Sequence, residues 1–249
     1  MRILLINPNM TQGMTDTMTR LARQTAGTLA EIIPVTATQG FPYIASRAEA
    51  QIAGAQVLET IATHQANVDA VIIAAFGDPG LVAARELFDL PIIGMAEAAV
   101  LTAAMLGDRF AVVTFSPHMV RWYRDCVLQT GLGARFTGVT YPACPPETLD
   151  DITIQLKEDL IALTHHAATK DCADVIILGG APLAGLAAEI SDATTGILVD
   201  PICAATTQAI ALGLLAPTYK NRSARPAAKT SSGLGTALTA VIAGETYET

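Results

Sequence analysis

Two stretches of this sequence match without a gap. Asp69-Ala-Val-Ile-Ile-Ala-Ala75 aligns with Asp174-Val-Ile-Ile-Leu-Gly-Gly180, about 105 residues further on. Flanking matches extend the pattern: Arg2–Asn9 parallels Arg109–Ser116, and Ile92-Ile93 pairs with Ile197-Leu198 at the same offset. Solenoids and propellers repeat with periods of roughly 20–50 residues, so this spacing is too long for them. It predicts a duplicated unit, giving two lobes related by a pseudo-two-fold axis.

Each copy alternates short apolar runs with Ala-rich stretches of helical length. The runs predict strands at Arg2–Asn7, Glu31–Thr36, Asp69–Ala75 and Pro91–Gly94, then at Arg109–Phe115, Arg135–Tyr141, Asp174–Gly179 and Thr195–Val199. Strand–helix alternation of this kind means parallel sheets with right-handed crossovers. Hydrophobic residues form 51% of the 249-residue chain and aromatics only 5%. An aliphatic core suits helices packed on a sheet buried on both faces. The fold class is α/β, with two pseudo-symmetric lobes, each a parallel sheet flanked by helices, and an active-site cleft between them. Residues 1–96 plus about 205–249 are assigned to lobe 1 and residues 97–204 to lobe 2. From Ala216 to Ser232 the chain is polar and contains proline, which predicts a solvated linker. Leu234–Ala243 reads as a last short helix, a candidate oligomer contact.

Charge and composition narrow the partners. The formal net charge of −8 repels phosphate backbones and anionic lipid surfaces, which argues against nucleic acid and membrane partners. The most basic stretch, Lys220, Arg222, Arg225 and Lys229, falls in the expected linker and reads as solvated. The N-terminal run after Arg2 is apolar for four residues, too short for a signal-peptide core, and no run approaches the ~18 apolar residues of a membrane span. A cytoplasmic protein is expected. The cysteines Cys126, Cys144, Cys172 and Cys203 are scattered without a CxxC pairing, so no metal site or disulfide framework is expected. A homo-oligomer acting on a small-molecule substrate is the expected assembly.

Ligands in open α/β sheets bind beyond the carboxyl ends of the strands. Four turns would therefore converge on the cleft: Asn7-Pro8-Asn9, Ala75 to Gly80, Thr114 to His118, and Gly179 to Pro182. Asn7, Asn9, Thr114 and Ser116 offer short polar groups for orienting a ligand or for bracing their own turns. In Phe76-Gly77-Asp78-Pro79-Gly80, Asp78 is placed to cap the next helix with Pro79 at its first position. Free N–H groups at that helix start suit an anionic or imide oxygen. Gly180 and Ala181 form the matching turn, where glycine lets the backbone approach a ligand. His118 lies near the cleft mouth. Glu97 and Asp200 follow strands near helix starts, as dipole partners or as proton-transfer groups. The remaining histidines, His64, His165 and His166, fall on or at the ends of expected helices.

Together, Ile6-Asn7-Pro8-Asn9, Phe76-Gly77-Asp78-Pro79-Gly80-Leu81, Gly94-Met95-Ala96-Glu97-Ala98-Ala99, Val112-Val113-Thr114 and Ile177-Leu178-Gly179-Gly180-Ala181 resemble the aspartate/glutamate/hydantoin racemase superfamily. Within it the chain is most similar to the hydantoin racemase branch, over Met1 to about Leu215. The resemblance implies a two-lobed pseudo-symmetric fold and an isomerase that racemises an amino-acid derivative, such as a 5-substituted hydantoin, without a cofactor. It also implies two cysteines facing each other across the substrate. One thiolate would take the proton from the stereocentre and the other thiol would return one on the opposite face. Nearby N–H groups would stabilise the enolate.

At the two implied cysteine positions this chain carries Ala75 and Gly180. Neither has an exchangeable side-chain proton, so the two-thiol mechanism is unavailable here. Several readings stay open. Another group or water is the base, with His118, Asp78, Glu97 and Asp200 as the ionisable candidates. The pocket hosts a decarboxylase, lyase or hydrolase reaction instead. The chain is a non-catalytic binder, its thiols lost by divergence or by design.

Overall fold

A computed structural model describes residues 1–144, 152–219, 222 and 225–245. Among these residues eight strands form where the apolar runs predict them. The first sheet contains β1 (Arg2–Asn7), β2 (Glu31–Thr36), β3 (Ala70–Ile73) and β4 (Ile92–Gly94), in the order β2-β1-β3-β4. The second contains β5 (Phe110–Val113), β6 (Phe136–Thr140), β7 (Val175–Leu178) and β8 (Ile197–Val199), in the order β6-β5-β7-β8. Every neighbouring pair is parallel.

The helices of the first half are α1 (Gln12–Ala26), α2 (Arg47–His64), α3 (Leu81–Leu87) and α4 (Met95–Leu106). The second half adds α5 (Val120–Gln129), α6 (Ile152–Gln155), α7 (Lys157–Thr169), α8 (Leu186–Ile190), α9 (Pro201–Leu215) and α10 (Thr236–Ala243). Among the described residues no helix is long and apolar enough to cross a membrane.

The duplication extends to register. Ile3 pairs with Ala70, and the equivalent Phe110 pairs with Val175. The strand starts are tied alike. Asp69 accepts the Arg2 N–H at 2.6 Å, and Asp174 accepts those of Asp108 and Arg109 at 2.9 Å each. One offset changes. Val71 pairs with Ile92, whereas its equivalent Ile176 pairs with Leu198. The second copy thus carries one extra residue before its fourth strand, and the expected match of Ile92-Ile93 to Ile197-Leu198 is corrected by one position.

β1, β3, β5 and β7 are buried on both faces, which is why their sequences are continuous apolar runs. α9 packs on α1, α4 and β3, while α4 also meets α5 and β7. These helices carry one core from the first sheet to the second. α10 packs on α2 and spends its buried side chains, Ala237 and Leu238, inside that neighbourhood.

The expected solvated linker is corrected in part. The Arg222 guanidinium, 17% exposed, donates to the carbonyls of Arg85, Glu86 and Phe88 at 2.6–3.1 Å. Those carbonyls close α3, and a cation is the natural partner for a helix C-terminus. Arg225 pairs with Asp89. Polar composition alone could not distinguish this anchored strand of chain from a free one. Lys220 lies outside the described residues.

Candidate active site

The strand-end turn of the first lobe begins at Ala75 and Phe76, both buried. Gly77 and Gly80 adopt φ of +149° and +80°, and Asp78 sits in the left-handed region at +47°. α3 starts only at Leu81, with Gly80 as its N-cap. The expectation that Asp78 caps α3 is therefore corrected. Its backbone carbonyl accepts the Leu81 N–H, and its carboxylate reaches across to α4. Oδ1 accepts the Ala96 N–H and Oδ2 the Glu97 N–H, both at 2.8 Å. Gly94, the α4 N-cap residue, leaves the room for this, since a Cβ there would overlap Asp78 Cγ.

Asp78 as a whole is only partly buried, but its carboxyl group is enclosed. Burial pushes its pKa up to about 7, outweighing the two N–H groups that favour the charged form. Glu97, in the first turn of α4, is held by the Arg85 guanidinium on α3.

The matching turn of the second lobe runs through Gly179, Gly180 and the partly buried Ala181. Gly180 has φ +129°, a conformation that L side chains rarely adopt. Asp200 is the N-cap of α9. Its Oδ1 accepts the Ile202 N–H at 2.9 Å and the Cys203 N–H at 3.3 Å. Its Oδ2 accepts the Gly185 N–H at 2.6 Å, fixing the far end of the turn.

The two turns meet over an aromatic floor of which the sequence pointed to Phe76 alone as a substrate-binding residue. Phe76 packs edge-on against Tyr123, with ring centroids 4.6 Å apart, and Tyr43 lies 6.0 Å from Phe115. A Cβ added to Gly179 would lie 3.2 Å from Phe76 Cε1, so the turns touch across the lobe boundary. A Cβ on Gly180 would lie 2.7 Å from Phe115 Cε1 and 3.4 Å from the Tyr123 hydroxyl oxygen.

The hydroxyls of Tyr43, Tyr123 and Thr114 are neighbours here. Burial raises both tyrosine pKa values above the usual range. Thr114 is fully buried and faces the Tyr123 hydroxyl, yet its Oγ1 completes no hydrogen bond of ordinary geometry. The one available signal was scarcity. The chain has only 12 aromatic residues, and five of them, Tyr43, Phe76, Phe115, Trp122 and Tyr123, gather at this floor.

The other sequence-predicted residues divide by what binds them. Asn7 is buried, and its amide donates to Asn9 Oδ1, Thr11 O and Thr15 Oγ1 at 2.9–3.2 Å. Asn9 accepts from Asn7 and from the Thr11 N–H, while its own amide meets only the Met14 sulfur at 3.6 Å. Asn9 therefore keeps donor capacity that Asn7 has spent. Ser116 caps the short turn Pro117–Met119 by accepting the His118 N–H at 3.4 Å, and His118 is exposed.

A cavity of about 320 Å³ is lined by the Gly77–Leu81 turn together with Arg47, Gln51, Trp122 and Cys126. Neither Ala75 nor Gly180 lines it. Among the described residues no group of three or more His, Cys, Asp or Glu side chains is arranged to hold a metal ion. Cys126 is buried, Cys203 partly so, and Cys144 and Cys172 are exposed.

A family profile described as Asp/Glu/Hydantoin racemase matches residues 3–209. The hydantoin racemase of Paenarthrobacter aurescens is 30% identical over 86% of this chain and 92% of its own length. Among solved structures, the allantoin racemase from Klebsiella pneumoniae superposes with a TM-score of 0.86 at 33% identity, over 93% of this chain and 96% of that one. The allantoin racemase from Pseudomonas fluorescens gives 0.87 at 30% identity, over 94% and 100%.

Proposed function

Because this chain belongs to the Asp/Glu/hydantoin racemase family, we propose that it acts on the stereocentre of a hydantoin-like ring held between Ala75 and Gly180. The observation that carries this reading is the close approach of two equivalent strand-end turns from the two lobes, each free of a bulky side chain at its first position. Among the described residues, the N–H groups of Phe76, Gly77 and Gly180 are left out of the backbone hydrogen-bond network. They are the donors for an enolate oxygen. Asn9, Thr114, Ser116 and Ala181 border the same space, and Asn7 braces the first turn from below. Proton transfer falls to a group other than residues 75 and 180. Asp78, Glu97 and Asp200 are poor candidates, because each carboxylate already holds backbone N–H groups or an arginine.

The same reading divides the chain into lobe 1, residues 1–96 with about 205–249, and lobe 2, residues 97–204. It has the protein acting as a cofactor-independent homo-oligomer in the cytoplasm, on a small molecule and apart from nucleic acid, in keeping with the net charge of −8.

Incubating single enantiomers of 5-substituted hydantoins and of allantoin with the protein in D₂O tests the reading. Loss of optical rotation with deuterium entering the stereocentre is expected. A broad panel that shows neither refutes it. A second reading, a binder without turnover, is favoured by the absence of any exchangeable proton on Ala75 and Gly180. Saturable ring binding with no exchange would select it.

A further inference from the structure

We infer that the Tyr123 hydroxyl, which lies beside Gly180, is the proton-transferring group on the lobe 2 face of the bound ring. This rests on the proposed reaction at the stereocentre and names the residue that serves one of its faces.

Four observations converge on it. Gly180 carries no side chain, and a Cβ placed there would lie 3.4 Å from the Tyr123 oxygen. The edge of the Phe115 ring, 2.7 Å from the same Cβ, is the other group bordering this spot. The ring is held in place by its edge-on contact with Phe76 and by the Gly179–Gly180 turn above it. Thr114, wholly buried, points its hydroxyl toward the same atom and has no other partner. The Tyr43 hydroxyl neighbours that of Tyr123 and lies 3.9 Å from the Met119 sulfur, and Tyr43 as a residue is only partly buried, which makes it the route by which a proton would leave Tyr123.

The first lobe has no counterpart. Asn7 takes the Thr114 position of the repeat, and its amide is already satisfied by Asn9, Thr11 and Thr15. The two faces of the ring are therefore served unequally. Tyr123 serves one face, and water reaches the other.

The step balances within these groups. Tyr123 passes its proton through the Tyr43 hydroxyl to water. The Tyr123 phenolate then takes the hydrogen of the stereocentre as a proton, and the C–H electron pair passes into the ring carbonyl as an enolate. Return of a proton from Tyr123 restores the starting configuration, whereas protonation by water from the opposite face inverts it. The titratable groups facing Tyr123 are Tyr43, from the segment before α2, and Cys126 on its own helix, while Glu49 faces Tyr43. Burial holds both phenols neutral at rest, so exchange should climb with pH through the alkaline range without levelling where an ordinary tyrosine would titrate.

The test follows the stereocentre proton by NMR in D₂O and optical rotation in parallel, using single-enantiomer 5-substituted hydantoins. In the wild type, one enantiomer should exchange its proton faster than it loses rotation. Tyr123→Phe keeps the ring and should cut that exchange by about 100-fold or more, with ring binding by calorimetry retained. Tyr43→Phe, which breaks the outward path, should slow deuterium entry in the same enantiomer, and it decides the matter if the first variant does not fold. Wild-type exchange that survives either substitution unchanged overturns the assignment while leaving the reaction in place. Absence of exchange in the wild type across the panel overturns the reaction, and the assignment with it.

Discussion

Asp78 and Asp200 hold equivalent N–H groups of equivalent helices from different places in the chain. Asp78 reaches Ala96 and Glu97 on α4 from the preceding turn, while Asp200 reaches Ile202 and Cys203 on α9 from the N-cap itself. With the one-residue shift before β8, these amides coincide in the repeat, and Gly94 is the counterpart of Asp200. Each lobe thus fixes its strand-end turn to the next helix with one carboxylate, delivered by a different route.

The cap should be transferable. Asp78→Ala is expected to cost about 1–2 kcal/mol, as for loss of an N-cap carboxylate. Gly94→Asp alone should also destabilise, because its Cβ would overlap the Asp78 carboxyl. The double variant should recover part of the loss, since Asp at 94 would stand where Asp200 does and only the flexible end of Leu81, 2.6 Å from the new Cβ, must give way. Urea unfolding of the four proteins measures this. Additive losses would contradict the equivalence.

The Asp78 carboxyl also sets a pH dependence. Its pKa in the fold is about 7, above the ordinary aspartate value of about 4. The folded state therefore binds this proton more tightly than the unfolded chain does. The resulting contribution to stability is full below about pH 4 and is lost as pH rises toward 7. The difference in unfolding free energy between wild type and Asp78→Asn should move accordingly between pH 4 and 7. A difference that stays constant across that range would be inconsistent with a raised pKa.

Placing a thiol in the second turn should not be simple. Gly180→Cys places a side chain at φ +129° and brings a Cβ to 2.7 Å from Phe115 Cε1. A loss of about 1–3 kcal/mol is expected from the backbone alone. Ala75→Cys meets no such obstacle at its backbone and should be nearly neutral. Thermal unfolding of the two variants separates them, and equal midpoints would be the wrong outcome.

Arg47 and Arg222 should behave differently. Arg47 and Asp125 form an exposed ion pair between α2 and α5, and Arg47→Ala should change stability by less than about 1 kcal/mol. Arg222 is largely buried and serves three carbonyls at the end of α3. Arg222→Ala should release the chain that follows it, seen as faster proteolysis between residues 216 and 235. Unchanged cleavage would mean that this anchor does not hold the tail.

Architecture was legible in the sequence because burial on both faces writes strands as unbroken apolar runs. The eight strands of the described residues and the duplication follow from runs such as Ala70–Ile73 and Val175–Leu178. What the sequence hid was tertiary choice. Asp78 beside Pro79 carries a local capping signal for α3, and only the space above Gly94 sends its carboxylate to α4 instead. Tyr43, Phe115 and Tyr123 lie in a loop, a strand end and a helix with no common motif, so nothing local marks them as one floor. Arg222 looked like a solvated charge because the carbonyls that need it are more than 130 residues away in sequence.

The place of the site can be read from a crystal structure with a single-enantiomer 5-substituted hydantoin bound. The stereocentre is expected between Ala75 and Gly180, in van der Waals contact with both turns, with Phe76 and Tyr123 beneath the ring. A hydantoin lodged instead in the cavity between Arg47, Gln51 and Trp122, with the space between the two turns left empty, would mean that the ring does not bind between Ala75 and Gly180.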